Sequence, residues 1–149
     1  MGVYNMAHVV FNEFLHQLAL QTINLATDTL RVALFPATYE ADRDTHMYFS
    51  DIASQEIVAD GYIAQGALLN NVTITKQDAA DNVKVTADDV TWINSTISAK
   101  YAVIYKDTGT AASSPLIMCI DFGSTKSSVN GNFTIQWSED GIFTISQAV

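Results

Sequence analysis

Hydrophobic and polar residues alternate along the second half of the chain, from Val90 to the C-terminus, in short runs. Five such runs begin at Val90, Tyr101, Pro115, Phe133 and Ile142. In the third run, Leu116, Met118, Ile120 and Phe122 share one face, because side chains of a strand alternate with a period of two. This pattern predicts five consecutive β-strands.

Turn-forming residues separate these runs. The four turns are Asp107-Thr108-Gly109, Ser113-Ser114-Pro115, Asn130-Gly131-Asn132 and Glu139-Asp140-Gly141. Gly, Asn and Asp tolerate the positive φ that tight reversals need, and Pro presets a turn angle. Asp140-Gly141 between two apolar runs is the strongest hairpin signal, so we expect the strands on either side of it to pair with each other.

The N-terminal segment has a helical period instead. Its apolar residues recur every three or four positions: Val10, Phe11, Phe14, Leu15, Leu18 and Ala19. This spacing predicts one amphipathic helix over residues 7–24, with Asn5 as its N-cap and residues 1–6 as a preceding arm. The next run, Leu30–Phe35, predicts a strand that Pro36 ends.

Between this strand and the C-terminal series, residues 37–57 are polar and aperiodic, which predicts a long loop with one short strand at most. Further strands are expected near Ile63–Leu69, Val72–Lys76 and Val83–Thr86. The whole pattern predicts a single domain, 1–149: an all-β fold, either a β-sandwich or jelly-roll-like, with the β-domain spanning 29–149 behind one N-terminal amphipathic α-helix.

Charge narrows the classes of partner. The chain has 149 residues with 16 acidic against 7 basic side chains and a net charge of −9. A nucleic-acid-binding protein needs a positive surface, so we expect no nucleic-acid partner. No basic N-terminal region precedes a long apolar stretch, so we expect no signal peptide, no membrane partner and folding in a cytoplasm. Hydrophobic residues make up 48% and charged residues 15%, which leaves apolar surface for a protein partner.

Candidate chemical sites have simpler structural explanations. The segment from Cys119 to Ser127 resembles the phosphate-binding hairpin of actin-like ATPases, but too little chain follows Asp121 to supply the rest of a nucleotide cleft. His8 and His16 are two helical turns apart, too far to share one metal ion. The acidic residues between Asp78 and Asp89 lack the spacing of a calcium loop. We therefore expect no enzyme activity, no catalytic residue, no metal and no cofactor, and a buried thiol at Cys119.

The order of several short motifs is similar to that of small structural proteins of tailed bacteriophages. These motifs are Asp28-Thr29-Leu30-Arg31-Val32-Ala33-Leu34, Gly61-Tyr62, Val90-Thr91-Trp92, Tyr101 to Tyr105, Pro115-Leu116-Ile117, Asp121-Phe122-Gly123 and Asn130 to Ile135. The resemblance spans most of the chain and implies a virion component with a short N-terminal helix and a β-domain. The stretch 37–57 is longer than in that pattern.

The resemblance and the apolar surplus together predict a capsid decoration, or cement, protein. We expect it to bind the outer shell as a homo-oligomer, a trimer, and to contact the major capsid protein. The candidate contact residues are Val3, Tyr4 and Met6 in the arm, and Tyr48 and Phe49 in the loop. A neck, tail or fibre-base component is the alternative within the virion.

A glycan-binding module for host attachment is the alternative from another class. Trp92, Trp137 and several Tyr residues are the side chains on which a sugar ring would stack. Both Trp residues fall at alternating strand positions, which favours a place in the core instead.

Overall fold

Antiparallel β-strands dominate residues 8–146, the part of the chain that the computed structural model describes. The strands are β1 (His8–Val10), β2 (Leu30–Phe35), β3 (Ala67–Leu68), β4 (Thr73–Gln77), β5 (Asn82–Thr86), β6 (Val90–Ser95), β7 (Ser98–Lys106), β8 (Leu116–Ser127), β9 (Gly131–Ile135) and β10 (Phe143–Ser146). The helices are α1 (Asn12–Ala19) and α2 (Phe49–Ile52), with 3-10 turns at Ala53–Gln55 and Ala111–Ser113. The predicted all-β class is confirmed. Within 8–146, no helix is long and apolar enough to cross a membrane.

The strands form three antiparallel sheets. The largest has the order β1-β8-β7-β2-β3, the second has the order β10-β5-β4, and β6 pairs with β9 in a two-stranded ribbon. Strands β7 and β8 form the centre of the large sheet, and β2 pairs with β7 along its whole length, from Leu30 opposite Lys106 to Phe35 opposite Tyr101. Residues of the two smaller sheets share one hydrophobic cluster with residues of the large sheet.

Both faces of the large sheet are buried. In β2, Leu30, Val32 and Leu34 pack in one cluster with residues of β5, β6 and β9, whereas Ala33 and Phe35 belong to a second cluster on the opposite face. A strand that is buried on both faces has an unbroken apolar sequence, as Leu30–Phe35 has except for Arg31. Cys119 is 2% exposed in the second cluster, as predicted.

The second face is covered by the segment that the sequence analysis predicted to be a loop. Tyr39, Phe49 and Ile52 are each at most 2% exposed and pack with Phe35 on this face. The prediction for residues 37–57 is therefore corrected: this segment contains α2 and a 3-10 turn, and Tyr48 forms an isolated bridge with Pro115 instead of belonging to a strand. A segment that contacts a sheet through widely spaced aromatic residues has no single period, so pattern analysis misses it.

The predicted helix over 7–24 is also corrected. Residues His8–Val10 form β1 on the edge of the large sheet, opposite Met118 to Ile120, and the helix spans only Asn12–Ala19. Pairing with β8 satisfies backbone groups that a helix would otherwise satisfy internally. The predicted N-cap, Asn5, lies outside the described residues, and the observed N-cap is Phe11, without a side-chain hydrogen bond.

Two local strand predictions are wrong. Asp140-Gly141 does not join a hairpin, because β9 pairs with β6 and β10 pairs with β5. Gly141 does adopt φ +95 in a turn that the Ser138 carbonyl closes, so the turn was identified and the partners were not. The strand expected at Ile63–Leu69 is reduced to β3, two residues long.

Candidate binding surfaces

The predicted contact residues fall in two places. Val3, Tyr4 and Met6 lie outside the described residues. Tyr48 and Phe49 lie at the start of α2, where the Phe49 amide donates to the Ser114 carbonyl over 2.8 Å. The Asp51 carboxylate accepts from the amides of Met47 and Tyr48, over 2.9 and 2.8 Å, and fixes the first turn of the helix.

Phe49 belongs to the core, so its prediction as a contact residue is corrected. Its side chain is 2% exposed and stacks on the Tyr105 ring with centroids 4.3 Å apart. An aromatic pair in this geometry stabilises the fold through buried area and ring contact, and leaves almost no surface for a partner. Tyr48 is half-buried, with its hydroxyl 3.4 Å from a carboxylate oxygen of Glu13 on α1.

The segment that resembles a phosphate-binding hairpin, Cys119 to Ser127, lies within strand β8. One Asp121 carboxylate oxygen accepts from the Gly123 amide over 2.8 Å, and Asp107 accepts from the Gly109 amide over 2.8 Å. Both are Asx turns, in which the carboxylate satisfies the backbone two residues later. Asp107 also accepts from Arg31 Nε at 3.1 Å. Each carboxylate has a local structural role.

A shallow acidic depression of about 650 Å³ lies beside β1, lined in part by Glu40, Asp42, Asp44 and His46. Its central carboxylate is already engaged: Asp42 accepts from the amides of Asp44 and Thr45, and these hydrogen bonds lower the pKa of the Asp42 carboxyl. Within residues 8–146, no three His, Cys, Asp or Glu side chains are grouped so as to hold a metal ion.

Two half-buried cations form ion pairs at one end of the large sheet. Arg31 pairs with Asp107 at 3.1 Å, and Lys106 pairs with Asp28 at 3.0 Å while also donating to the Thr22 carbonyl. Both of these cations are therefore paired within the fold. With 16 acidic against 7 basic residues, the chain as a whole is negative.

The two Trp residues, which would serve as platforms for a sugar ring, are core residues. Trp92 and Trp137 are each 7% exposed, and the indole Nε1 of Trp137 donates to the Asp88 carbonyl over 2.9 Å. A glycan site needs an exposed aromatic face on which the sugar can stack, and neither indole offers one.

A carboxyl group is held against the edge of β2. Glu56 accepts from the Tyr62 hydroxyl over 2.5 Å and from the Gln65 amide over 2.7 Å, and Tyr62 in turn accepts from the Leu34 amide. Burial raises the pKa of the Glu56 carboxyl, although the two hydrogen bonds act in the opposite direction. The cluster fixes the segment between α2 and β3.

An apolar groove of about 490 Å³ lies between the end of α1 and the sheet β10-β5-β4. Its apolar lining residues are Leu18, Ile23, Leu25, Ile74 and Ile145. Ile74, which lies opposite Val85, and Ile145, which lies opposite Val83, are 41% and 39% exposed. The groove is concave, so it suits a protruding segment of a partner.

Three chain segments meet at the end of the β6–β9 ribbon where Ser95 lies opposite Gly131. The Asp60 carbonyl accepts from the Thr96 amide over 2.9 Å, and Thr96 Oγ1 accepts from the Asn130 amide over 3.1 Å. Gly61 fits against β6 so closely that a Cβ there would lie 2.7 Å from Ser95 Cα. Loop 57–65, strand β6 and the turn before β9 are thereby held together.

Buried hydroxyls hold the same junction from inside. Ser95, fully buried at the bulged end of β6, lies 2.9 Å from the Ser128 hydroxyl, and Ser128 Oγ donates to the Ser95 carbonyl over 2.9 Å. A buried hydroxyl that lost its partner would cost free energy, so these bonds favour one arrangement of the junction. The junction is therefore a defined surface of the fold.

Each of these segments exposes aliphatic side chains near the junction. We call these side chains together the uncharged surface. Its residues, with their exposed fractions, are Val58 (101%), Ile63 (79%), Ile93 (64%) and Val129 (76%). Residues 57–65, 91–97 and 127–134 contain one charged side chain, Asp60. These four β-branched side chains lie on loops or on the outward face of β6, and they take no part in this chain's core.

The sequence analysis did not identify the uncharged surface. Ile93 was assigned to a strand, and only its place on the side of Thr91, opposite Trp92, indicated exposure. Val58 and Ile63 lie in one segment, and Ile93 and Val129 lie in two other segments that are far from it along the chain. Their proximity depends on the pairing of Asp60 with Thr96, for which the local pattern gives no signal.

Comparisons with protein-family models, curated proteins and solved structures find no match to this chain.

Proposed function

We propose that the chain is a structural protein of a tailed-phage virion, assembled in the host cytoplasm, which acts as a capsid decoration protein on the outer shell. The observation that carries the proposal is the exposure of aliphatic side chains on a β-rich, acidic chain, at two separate surfaces. A protein that joins subunits needs such surfaces. The order of sequence motifs, similar to that of small tailed-phage structural proteins, supports the same conclusion.

The proposed architecture is a β-sandwich. Its support is the cluster shared by the large sheet and the smaller ones, in which Leu34 of β2, Val85 of β5, Trp92 of β6 and Ile135 of β9 all take part. Sheets packed face to face resist shear, and this suits a protein that must keep its shape while its surfaces bind neighbours.

A decoration protein stabilises a shell by burying apolar area across subunit boundaries. Each Å² of apolar surface removed from water contributes on the order of 25 cal/mol before the costs of association are subtracted. The groove beside α1 is the surface we assign to the shell protein, because a concave apolar site accepts a side chain or loop from a larger partner. Tyr48 and the arm residues Val3, Tyr4 and Met6 are further candidates for the shell contact.

Co-sedimentation with empty capsids tests the proposal. Saturable binding at a fixed ratio to capsid subunits is the expected result. If the protein stays in the supernatant and forms a stable ring-sized oligomer, the decoration role is wrong and the neck or tail becomes the place to look.

Two variants assign the contact. Ile74→Glu and Ile145→Glu change half-exposed groove residues, so we expect each to weaken shell binding at least about tenfold. The matched control is Leu15→Glu, which changes a 54% exposed residue of α1 that does not line the groove. Deletion of residues 1–6 tests the arm: unchanged shell binding would exclude it as a contact.

A further inference from the structure

We propose that the uncharged surface, formed by Val58, Ile63, Ile93 and Val129, binds a second copy of this chain. The inference deepens the proposed function, on which it rests, by naming the surface through which copies of an oligomeric shell component meet. It leaves the groove beside α1 for the shell protein.

Charge favours a second copy as the occupant. The chain carries a net charge of −9, so two copies repel each other wherever their acidic faces approach. The three segments of the uncharged surface have Asp60 as their one charged residue, and Lys126 lies at their margin, where it lines one depression with Asn132 and Thr134. A partner of opposite charge would be recognised by carboxylates, and this surface offers almost none. Two equally acidic copies, in contrast, approach with least repulsion through it.

The form of the surface agrees with self-association. Ile93 projects from the outward face of the β6–β9 ribbon, beside an exposed pair in which the hydroxyls of Thr91 and Thr134 are 3.0 Å apart. Short neutral side chains let the faces of two copies approach closely. Ile63 and Val129 are exposed residues of loops that the junction fixes in place. In a two-fold symmetric contact, which builds a dimer instead of the trimer expected from the resemblance, both partners use the same patch, so one neutral surface is sufficient.

The test is the mass of the purified full chain in solution, measured by light scattering over a dilution series. The wild-type protein is expected to have the mass of two or more chains and to dissociate into single chains on dilution. The double variant Ile63→Glu/Val129→Glu places like charges in the contact, and we expect its dissociation constant to rise at least about tenfold. Both side chains are more than three-quarters exposed, so the fold does not depend on them.

The control is again Leu15→Glu, which adds one negative charge outside the surface and is expected to keep the wild-type mass. Circular dichroism and the thermal midpoint show whether each variant is folded. A monomeric wild-type protein at the highest soluble concentration overturns the inference, and so does a double variant that is folded and associates as the wild type does.

Capsid binding separates this inference from the proposed function. If the wild type self-associates through the uncharged surface but does not sediment with capsids, the decoration role fails and the inference stands. If the wild type is monomeric and sediments with capsids, the inference fails and the decoration role stands.

Discussion

Phe49 shows what a single residue contributes when it comes from a segment without a regular pattern. Its position among polar residues suggested an exposed contact, yet its ring fills the space beside Tyr105 on a face of the sheet that has no second sheet over it. The sequence shows that an aromatic residue is present and does not show which way its side chain points. At this scale burial is the decisive quantity, and it follows from the tertiary position of α2.

Truncation of Phe49 measures this contribution. We expect Phe49→Ala to lower the free energy of unfolding by about 3–5 kcal/mol, because it removes a fully buried ring and leaves a cavity. The neighbouring Met47→Ala, at a side chain that is 43% exposed, is expected to change it by only about 0.5 kcal/mol. Urea denaturation with matched m-values checks both. Equal effects of the two substitutions would mean that α2 does not pack on the sheet.

Glu56 gives the fold a pH dependence. Its pKa is raised in the folded state, above the ordinary 4.5, so the folded protein holds the proton more tightly than the unfolded chain does. The stabilisation is therefore complete below pH 4.5 and is lost as the pH rises through the folded pKa. In Glu56→Gln the side chain cannot ionise while its oxygen can still accept a hydrogen bond from Tyr62.

Thermal midpoints of the wild type and Glu56→Gln, measured across this window, test the assignment. We expect the wild-type midpoint to fall relative to that of the variant as the pH rises from 4.5, and the difference to level off above the folded pKa. Parallel curves throughout would show that the carboxyl titrates alike in the folded and unfolded states. Asp42→Asn is the contrasting control: the pKa of this exposed carboxyl is lowered from 3.8, so its contribution is lost only as the pH falls below that value and stays constant as the pH rises from 4.5.

At the scale of elements, the sequence predicted strands better than it predicted their partners. Leu30–Phe35 was predicted with its observed bounds, because burial on both faces gives an unbroken apolar run that Pro36 terminates. Asp140-Gly141 was identified as a turn, but β9 pairs with β6 and β10 with β5, across 36 or more residues of chain. A turn fixes a reversal, and only tertiary packing decides which strands meet.

The short edge strand β3 depends on one glycine. Gly66 has φ +72, and a Cβ there would lie 1.9 Å from the Val32 carbonyl oxygen. We expect Gly66→Ala to cost more than about 3 kcal/mol, since it adds steric overlap with β2 to the strain of a positive φ.

Gly109 is the matched control, because its φ is +84 and no atom lies within 4 Å of a Cβ placed there. Gly109→Ala is expected to cost only the backbone strain, about 1–2 kcal/mol. Chemical denaturation of both variants checks the difference. A Gly66→Ala protein as stable as Gly109→Ala would mean that the close approach of the 57–66 segment to β2 is dispensable.

At the scale of the whole molecule, composition predicted that apolar surface exists and could not say where. The proportion of hydrophobic residues, 48%, indicated a surplus of apolar side chains. The fold places some of them in the groove beside α1 and some in the uncharged surface. The groove combines α1 with β4 and β10, and the uncharged surface combines three segments with no common sequence signal. Surfaces assembled from distant segments in this way require the fold to be known before they can be identified.

Ionic strength separates an apolar self-contact from one made of ion pairs. Electrostatic repulsion between copies with a net charge of −9 acts over about 30 Å at 0.01 M salt and over about 10 Å at 0.1 M. If the uncharged surface is the contact, added salt screens this repulsion and removes nothing attractive, so self-association should strengthen as salt rises across this range. Sedimentation velocity at several salt concentrations measures the dissociation constant directly. A contact made by Lys or Arg with carboxylates of the next copy would weaken over the same range, and that result would place the interface elsewhere on the molecule.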